Sequence, residues 1–293
     1  MNQNKNKLKK VTTLILAFVL AITIVTTIVS NVCIKLSEYT IKLSGLSGSA
    51  RVVVISDLHG KEYGKENKRL LDKISEQQPD AIFVVGDMLD DRDVESGFSK
   101  TQNLLFTLLD IAPVYLSYGN QEKEYSGDIL DSFSNAISEK GIVVLDDSFV
   151  DCEIGGQELR IGATMGHAFP FGRTKEEFEN SDEYIFLKDM EKTDLPTIVL
   201  AHMPDTFIFN GAHNYWSNID LVVSGHTHGG VVRLPFAGGL YAPMQGLFPE
   251  YDYGFFMLGE KMQMVITSGL SGYKLVPRFL NLPEICVLTL TGE

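Results

Sequence analysis

Cysteine is scarce in this chain of 293 residues. Cys33, Cys152 and Cys286 are the only three, and no pair has the spacing of zinc ligands. That excludes a cysteine-zinc module and a dense disulfide framework. Cys152 and Cys286 fall in strand-like runs. An oxidising exterior would let them pair; two buried thiols acting as small apolar residues are the other reading. Runs of Lys and Arg are just as scarce. Four of the 25 basic residues (Lys5, Lys7, Lys9 and Lys10) precede residue 11, where there is no acid. The rest of the chain therefore holds 21 basic against 38 acidic residues, a net charge of −17. Nucleic-acid binding rests on Lys and Arg neutralising phosphates, so nucleic acid is not an expected partner. Internal repeats and low-complexity blocks are also missing from residues 36–293, which makes one catalytic domain the simplest organisation.

Charge disappears altogether between Val11 and Ile34. A helix over residues 11–34 would span roughly 36 Å at about 1.5 Å per residue, enough for a hydrocarbon core of about 30 Å. The preceding lysines place residues 1–10 in the cytoplasm by the positive-inside rule, with 11–34 as the anchor and the domain from residue 36 outside. A cleaved signal peptide is the alternative. Its apolar region would be unusually long, and Val32 before Cys33 does not suit lipoprotein processing.

What is present beyond the anchor is an alternation of apolar runs and amphipathic stretches. Glu38–Leu46 reads as a first strand and turn, Arg51–Ser56 as a buried strand, and Tyr63–Glu76 as a helix with Leu70, Leu71 and Ile74 inward. A strand at Ala81–Val85, a helix at Thr101–Leu109, a strand at Val114–Tyr118 and a helix at Ile129–Lys140 follow. Shorter strands then dominate: Ile142–Leu145, Leu159–Ala163, Thr197–Ala201, Leu221–Ser224, Met264–Thr267 and Ile285–Leu290, with one helix near Glu183–Met190. The order predicts an α/β domain with parallel pairing, completed by a second sheet.

The polar residues that matter stand where these strands end. The runs finish in Asp57-Leu58-His59, Gly86-Asp87, Gly119-Asn120, His202 and Gly225-His226-Thr227-His228. Ligands bind at the carboxyl ends of strands in α/β sheets, and four of the six histidines occupy such ends. Any one of them alone reads as a hydrogen-bonded structural histidine. Five successive strand ends carrying only Asp, Asn and His do not read as chance. Imidazole and carboxylate without thiolate suit manganese, iron or zinc, and Asp-x-His puts both side chains on one side of an extended segment.

The series DLH, GDMLD, GNQE, AHMPD and GHTHGG, in this order across residues 51–230, resembles the calcineurin-like metallophosphoesterase superfamily. The tail SGLSGYKLVPRFLNLPEICVLTL is similar to a membrane-associated branch with UDP-2,3-diacylglucosamine hydrolase-like and cell-wall phosphodiesterase-like members. The resemblance implies a two-sheet β-sandwich flanked by helices and two divalent metal ions, manganese before iron or zinc. It implies that Asp57, His59 and His228 bind one ion, that Asn120, His202 and His226 bind the other, and that Asp87 bridges them. Two such ions clamp a phosphate, acidify a water and stabilise in-line displacement, with no Ser or Cys nucleophile. The expected substrate is a phosphoester, with a lipid-linked one fitting the anchor.

One position departs from the family. Gln121 follows the motif Asn120 where a His is usual, the residue thought to protonate the leaving oxygen or hold the phosphate, with a carboxylate at the position of Asp90 orienting it. A Gln amide donates hydrogen bonds to phosphate and to Asp90 but is no proton donor at pH 7. Glu122 is a candidate substitute acid, or else a solvated loop carboxylate. His167 and His213 fall in loops, and neither is expected in the site. Phe236, Tyr241, Phe248, Tyr251, Tyr253, Phe255 and Phe256 crowd one segment, either as core of the second sheet or as an apolar lip beside the membrane; Phe169, Phe171 and Trp216 fit both ideas. A metal-bound but weakly catalytic binding or sensor module is the competing function, suggested by Gln121.

Overall fold

The computed structural model describes residues 2–89, 94–125, 127–167, 174–209, 211–273 and 276–292. It opens with helix α1 (Asn2–Val32), whose stretch Lys9–Val32 contains an apolar window with a mean hydropathy of 2.5, none of it buried. Such a helix is long and apolar enough to cross a membrane.

Two six-stranded sheets follow. Across the first lie β1 (Lys35–Lys42), β16 (Glu284–Thr291), β2 (Ser49–Ile55), β3 (Ala81–Val85), β4 (Val114–Ser117) and β5 (Val143–Leu145). Across the second lie β14 (Gly254–Leu258), β15 (Met262–Ile266), β9 (Leu221–Ser224), β8 (Thr197–Ala201), β7 (Gln157–Thr164) and β6 (Ser148–Ile154). The centre of each sheet is parallel: β2 to β5 in the first, and β7, β8, β9 and β15 in the second. Two ribbons stand between β9 and β14: β10 (Arg233–Leu234) with β11 (Gly238–Gly239), and β12 (Tyr241–Ala242) with β13 (Gly246–Leu247).

The sheets stack because each inner strand is apolar on both faces. Val52 and Val54 of β2 point into the core between the sheets with Phe83, Val85, Ile161, Leu200 and Val223. Val53 and Ile55 point the other way, onto α2 (Lys68–Ser75), α3 (Val94–Leu109) and α5 (Asp128–Ser138), where Leu70, Ile74, Leu105, Leu108 and Ile137 cover them. On the far side Val199, Val222, Met264 and Ile266 of the second sheet pack beneath Phe178 of α6 (Lys175–Glu179), Phe186 and Leu187 of α7 (Asp182–Met190), Phe207 of α8 (Asp205–Ile208) and Trp216. Alternate residues facing opposite layers produce this α/β/β/α stack, and double burial explains the unbroken apolar runs of the central strands.

Several elements differ from the sequence reading. The helix expected over Tyr63–Glu76 is confined to its second half. Glu66 and Asn67 take left-handed φ of 53° and 58°, and the Asn67 side chain accepts the Tyr63 amide at 2.9 Å, which breaks the first turn. The first strand starts at Lys35 and pairs in parallel with β16, so no linker separates α1 from the sheet. The hairpin partners β6 and β14 were not foreseen. All three cysteines are free: Cys286 is a buried thiol between the sheets, and Cys152 packs against the same core. The aromatic segment divides, with Phe256 and Tyr251 packed on the second sheet and Phe236, Tyr241, Phe248 and Phe255 exposed. Phe169 and Phe171 lie outside the described residues.

Candidate metal centre

Both sheets point the carboxyl ends of their parallel strands at one seam. The segments after β2, β3 and β4 carry Asp57 with His59, Asp87, and Asn120; those after β8 and β9 carry His202, and His226 with His228. A cleft of about 580 Å3 opens there, lined by His59, Asp87, Asn120, Gln121, His226 and His228 together with Tyr241, Gly272, Tyr273 and Val276. Asp57 and His202 are fully buried beneath it. Asp90 lies outside the described residues.

The side chains form two groups: Asp57, His59 and His228 in one, Asp87, His202 and His226 in the other, with the donor atoms of each group within 4.8 Å of one another. Asp57 Oδ1 lies 3.6 Å from His228 Nε2 and 3.9 Å from His59 Nε2. Asp87 Oδ2 lies 3.3 Å from His202 Nε2 but also 3.6 Å from His59 Nε2, so this one carboxylate touches both groups.

Outer hydrogen bonds set the rings. His202 Nδ1 pairs with Val85 O and His228 Nδ1 with Ser271 O, both at 2.8 Å, which turns the Nε2 lone pairs inward. Ser56 donates to Asp57 Oδ2 at 2.7 Å, and the amides of His226 and Gln121 donate to Asp57 and Asp87. By contrast, His59 Nε2, His202 Nε2 and Asn120 Oδ1 are buried with no hydrogen-bond partner. Buried polar atoms nearly always have one. Two unpaired imidazole nitrogens beside two carboxylates, with an unpaired amide oxygen in the same cleft, are a donor set that divalent cations satisfy.

The backbone is strained to bring them together. Asp57, His59, Asp87, His226 and His228 all take φ between 48° and 67°. Left-handed backbone costs a non-glycine L-residue roughly 1–2 kcal/mol and collects at functional sites. Crowding is extreme where the β3 and β4 loops meet: a Cβ on Gly86 would come 2.5 Å from Gly119 N, and one on Gly119 would strike Asp87 Oδ1. Only glycine fits at either position.

Burial alone would raise the carboxyls of Asp57 and Asp87. The imidazoles beside them outweigh it, His228 and His202 for Asp57 and His202 and His59 for Asp87, and hold both below the usual carboxylate range. Burial pulls His226 down to about 3 and His228 down to about 4, which keeps both rings neutral. His202 is also pulled down by burial, but the Asp87 carboxylate overrides this and pushes it up to about 10. The pocket thus presents neutral His226 and His228 beside two anionic carboxylates, and it holds a positive charge on His202 next to Asp87.

Glu122 is neither solvated nor in the cleft. It is buried in α4 (Asn120–Glu124), and its carboxylate accepts the amides of Asp87, Met88, Leu89 and Gly119 at 2.8–3.1 Å. Burial and the nearby Asp87 charge push it up, against the pull of those amides. Tyr273 escaped the sequence reading. Its hydroxyl is buried without a partner, and its ring lies 4.7 Å from that of His228. Gln121 lines the cleft with its Nε2 3.4 Å from Glu124 Oε1 and its Oε1 unpaired. His167 lines a separate cavity with Lys123 and Asp146, and His213 sits beside Gly259; neither joins the site.

The family model of the calcineurin-like phosphoesterases matches residues 50–230, which carry all seven of these side chains. The chain belongs to that family. Its members are phosphoric ester hydrolases, and their use of divalent metals agrees with the two donor groups. This phosphoesterase is similar to an uncharacterized metallophosphoesterase of Campylobacter jejuni, 27% identical over 267 residues, covering 88% of this chain and 64% of that one. It is 26% identical over 246 residues to the phosphodiesterase YaeI of Escherichia coli, covering 82% of each chain. A 99-residue stretch is 38% identical to the UDP-2,3-diacylglucosamine pyrophosphatase LpxG of Chlamydia muridarum, covering 32% of this chain and 29% of that one.

Proposed function

We propose that this phosphoesterase works with two metal ions, is held in a membrane by residues 11–34, and hydrolyses a phosphodiester or pyrophosphate bond in a lipid- or envelope-linked substrate. The observation that carries the two-metal reading is Asp87 Oδ2, poised between His59 Nε2 and His202 Nε2. In this reading Asp57, His59 and His228 hold one ion, Asn120, His202 and His226 hold the other, and Asp87 serves both. Two divalent ions there supply Lewis-acid charge to the phosphoryl oxygens and acidify the attacking water. Manganese suits the imidazole and carboxylate donors, ahead of iron or zinc.

The chain's own groups orient the substrate. The Gln121 amide and the Tyr273 hydroxyl line the cleft and donate hydrogen bonds to phosphoryl or leaving oxygens. Burial pushes the Tyr273 phenol up, so neither is a ready acid at pH 7. The chemistry therefore favours bonds with good leaving groups, such as pyrophosphates and aryl esters. Relatives named as a phosphodiesterase and as a pyrophosphatase support both bond types. The lysines ahead of residue 11 support an orientation with residues 1–10 in the cytoplasm and the catalytic domain, 36–293, on the outer face.

The test uses the full chain purified in detergent with manganese, assayed on bis-aryl diesters, aryl monoesters and pyrophosphates beside metal analysis. Two ions per chain with turnover of diesters or pyrophosphates is the expected result. Two ions with no turnover of any substrate would favour the binding or sensor module. Digestion of intact cells with protease checks the orientation; a protected domain would reverse it.

A further inference from the structure

Two segments of this acidic protein contain no acid at all: residues 231–249 and 267–283. Among the described residues beyond α1, thirteen large apolar side chains are exposed, and eight of them fall within these two segments. Phe236, Leu247 and Phe248 stand out on the β10–β13 ribbons at 109%, 69% and 54% exposure, Tyr241 and Val276 are exposed at the cleft, and Leu280 is exposed beside Phe279. The segments are tied together, since the Arg233 amide donates to Phe279 O at 3.0 Å and Val232 bridges Phe279. Elsewhere the exposed apolar residues are the pair Phe255 and Met257 on β14 and the single residues Leu36, Ile129 and Ile185, and single ones need no explanation. A cluster of this kind marks an interaction surface.

The end of α1 shows what lies beside it. Asn31 grips the Arg278 backbone from both sides, its Nδ2 donating to Arg278 O at 3.0 Å and its Oδ1 accepting the Arg278 amide at 3.3 Å. Lys61 Nζ and Arg69 cap the last carbonyls of the helix, Asn31 O and Val32 O, at 2.8 and 3.1 Å. Val276 and Leu280 are each two residues from Arg278, so their Cα atoms lie at most about 7 Å from it. Val276 and Tyr241 also line the cleft. The segment around Arg278 therefore runs from the end of α1 to the mouth of the metal site.

We infer that this rim seats in the lipid surface that α1 enters, and that the cleft takes its phosphoester from a lipid headgroup in that same leaflet. The inference rests on the anchor reading above and adds the direction from which substrate arrives. Leu, Phe and Tyr with no acids among them are the residues that settle about 5–10 Å into the headgroup boundary. The remaining surface, rich in Asp and Glu, stays in water.

The full chain, reconstituted in phosphatidylcholine–phosphatidylglycerol vesicles with and without brominated lipid, tests this by tryptophan quenching over the common background of buried Trp216. Leu247→Trp and Phe236→Trp should be quenched by at least half, as should Phe18→Trp within α1, while Ile185→Trp on α7 should not. Quenching of Phe18→Trp alone would keep the anchor and overturn the rim contact. No quenching at Phe18→Trp would overturn the anchor and the rim together. In the same vesicles, Leu247→Glu with Phe248→Glu should lower turnover of a dioleoylglycerol aryl phosphodiester, relative to a soluble bis-aryl diester, at least tenfold. An unchanged ratio would show that substrate reaches the site from water.

Discussion

The carboxylate of Glu122 accepts the backbone amide of Asp87 at 2.8 Å, and the same two oxygens take the amides of Met88, Leu89 and Gly119. One side chain thus staples the loop carrying Asp87 to the loop carrying Asn120. Charge-assisted bonds of this kind are about twice as strong as neutral ones. Glu122→Gln replaces one acceptor oxygen by a donor facing other donors. Each buried donor left unpaired costs about 1–3 kcal/mol, so thermal unfolding should move down and metal content should fall with it. If Glu122 were instead the general acid, the variant would keep its metals and melting temperature and lose rate only on poor leaving groups. Calorimetry beside metal analysis separates the two.

Asp87 is the second test. Asp87→Ala removes the one carboxylate within 4 Å of histidines from both groups, so both ions should be lost together. Outer-sphere changes alone typically cost about 10–100-fold in affinity or activity, and loss of a shared ligand should exceed about 100-fold. His167→Ala, in a separate cavity, is the control. Two ions per chain and normal turnover in Asp87→Ala would remove the assignment.

The architecture was legible wherever strands are buried on both faces. Ala81–Val85, Thr197–Ala201 and Leu221–Ser224 are buried throughout and apolar but for Thr197 and Ser224 at their ends, and the structure gives them the same boundaries. Edge strands were not. β6 exposes Asp151 and Glu153 and has only its last residue fully buried, so its pattern resembles a loop. The ligand residues were visible because each ends a strand, but their left-handed backbone was not, because local preference argues against it. Glu122 was misread for a related reason: its burial comes from the meeting of two loops after β3 and β4, which no local pattern encodes. The grip of Asn31 on Arg278 joins residues 247 apart in sequence, and only the pairing of β1 with β16 brings them together.

Tyr273 offers a third test. Its hydroxyl lines the cleft unpaired, and burial keeps it protonated well above its ordinary range. Tyr273→Phe should lower kcat/KM on aryl diesters by about 10- to 100-fold, at or below the usual effect of a preorganised oxyanion donor, about 10²–10³. Metal content should not change. Because the phenol pKa is raised, no loss of rate from its ionisation should occur up to pH 10, whereas an unshifted phenol would begin to lose its proton there. Equal rates for the two proteins on every diester would rule out a role at the phosphate.

Gln121 separates a specialised hydrolase from a weakly active one. Its amide holds hydrogen bonds but gives no proton at pH 7, and its Nε2 already faces Glu124. Hydrolysis should therefore depend steeply on leaving-group pKa, with aryl diesters and pyrophosphates cleaved and alkyl diesters far slower. Gln121→His adds a ring with an ordinary pKa near 6.5, able to protonate the departing oxygen. General acids contribute about 10²–10⁴-fold when well placed. A ring that has not been positioned by its neighbours should recover less, about 10-fold or more on alkyl diesters, and almost nothing on aryl ones. Metal analysis must accompany the rates, because Asn120 is adjacent and a displaced ligand would lower every substrate alike. Equal turnover of alkyl and aryl diesters by the natural protein would mean that another group already supplies the proton. Glu122 could not be that group without breaking the four amide bonds that hold the β3 and β4 loops, so the search would turn to Tyr273.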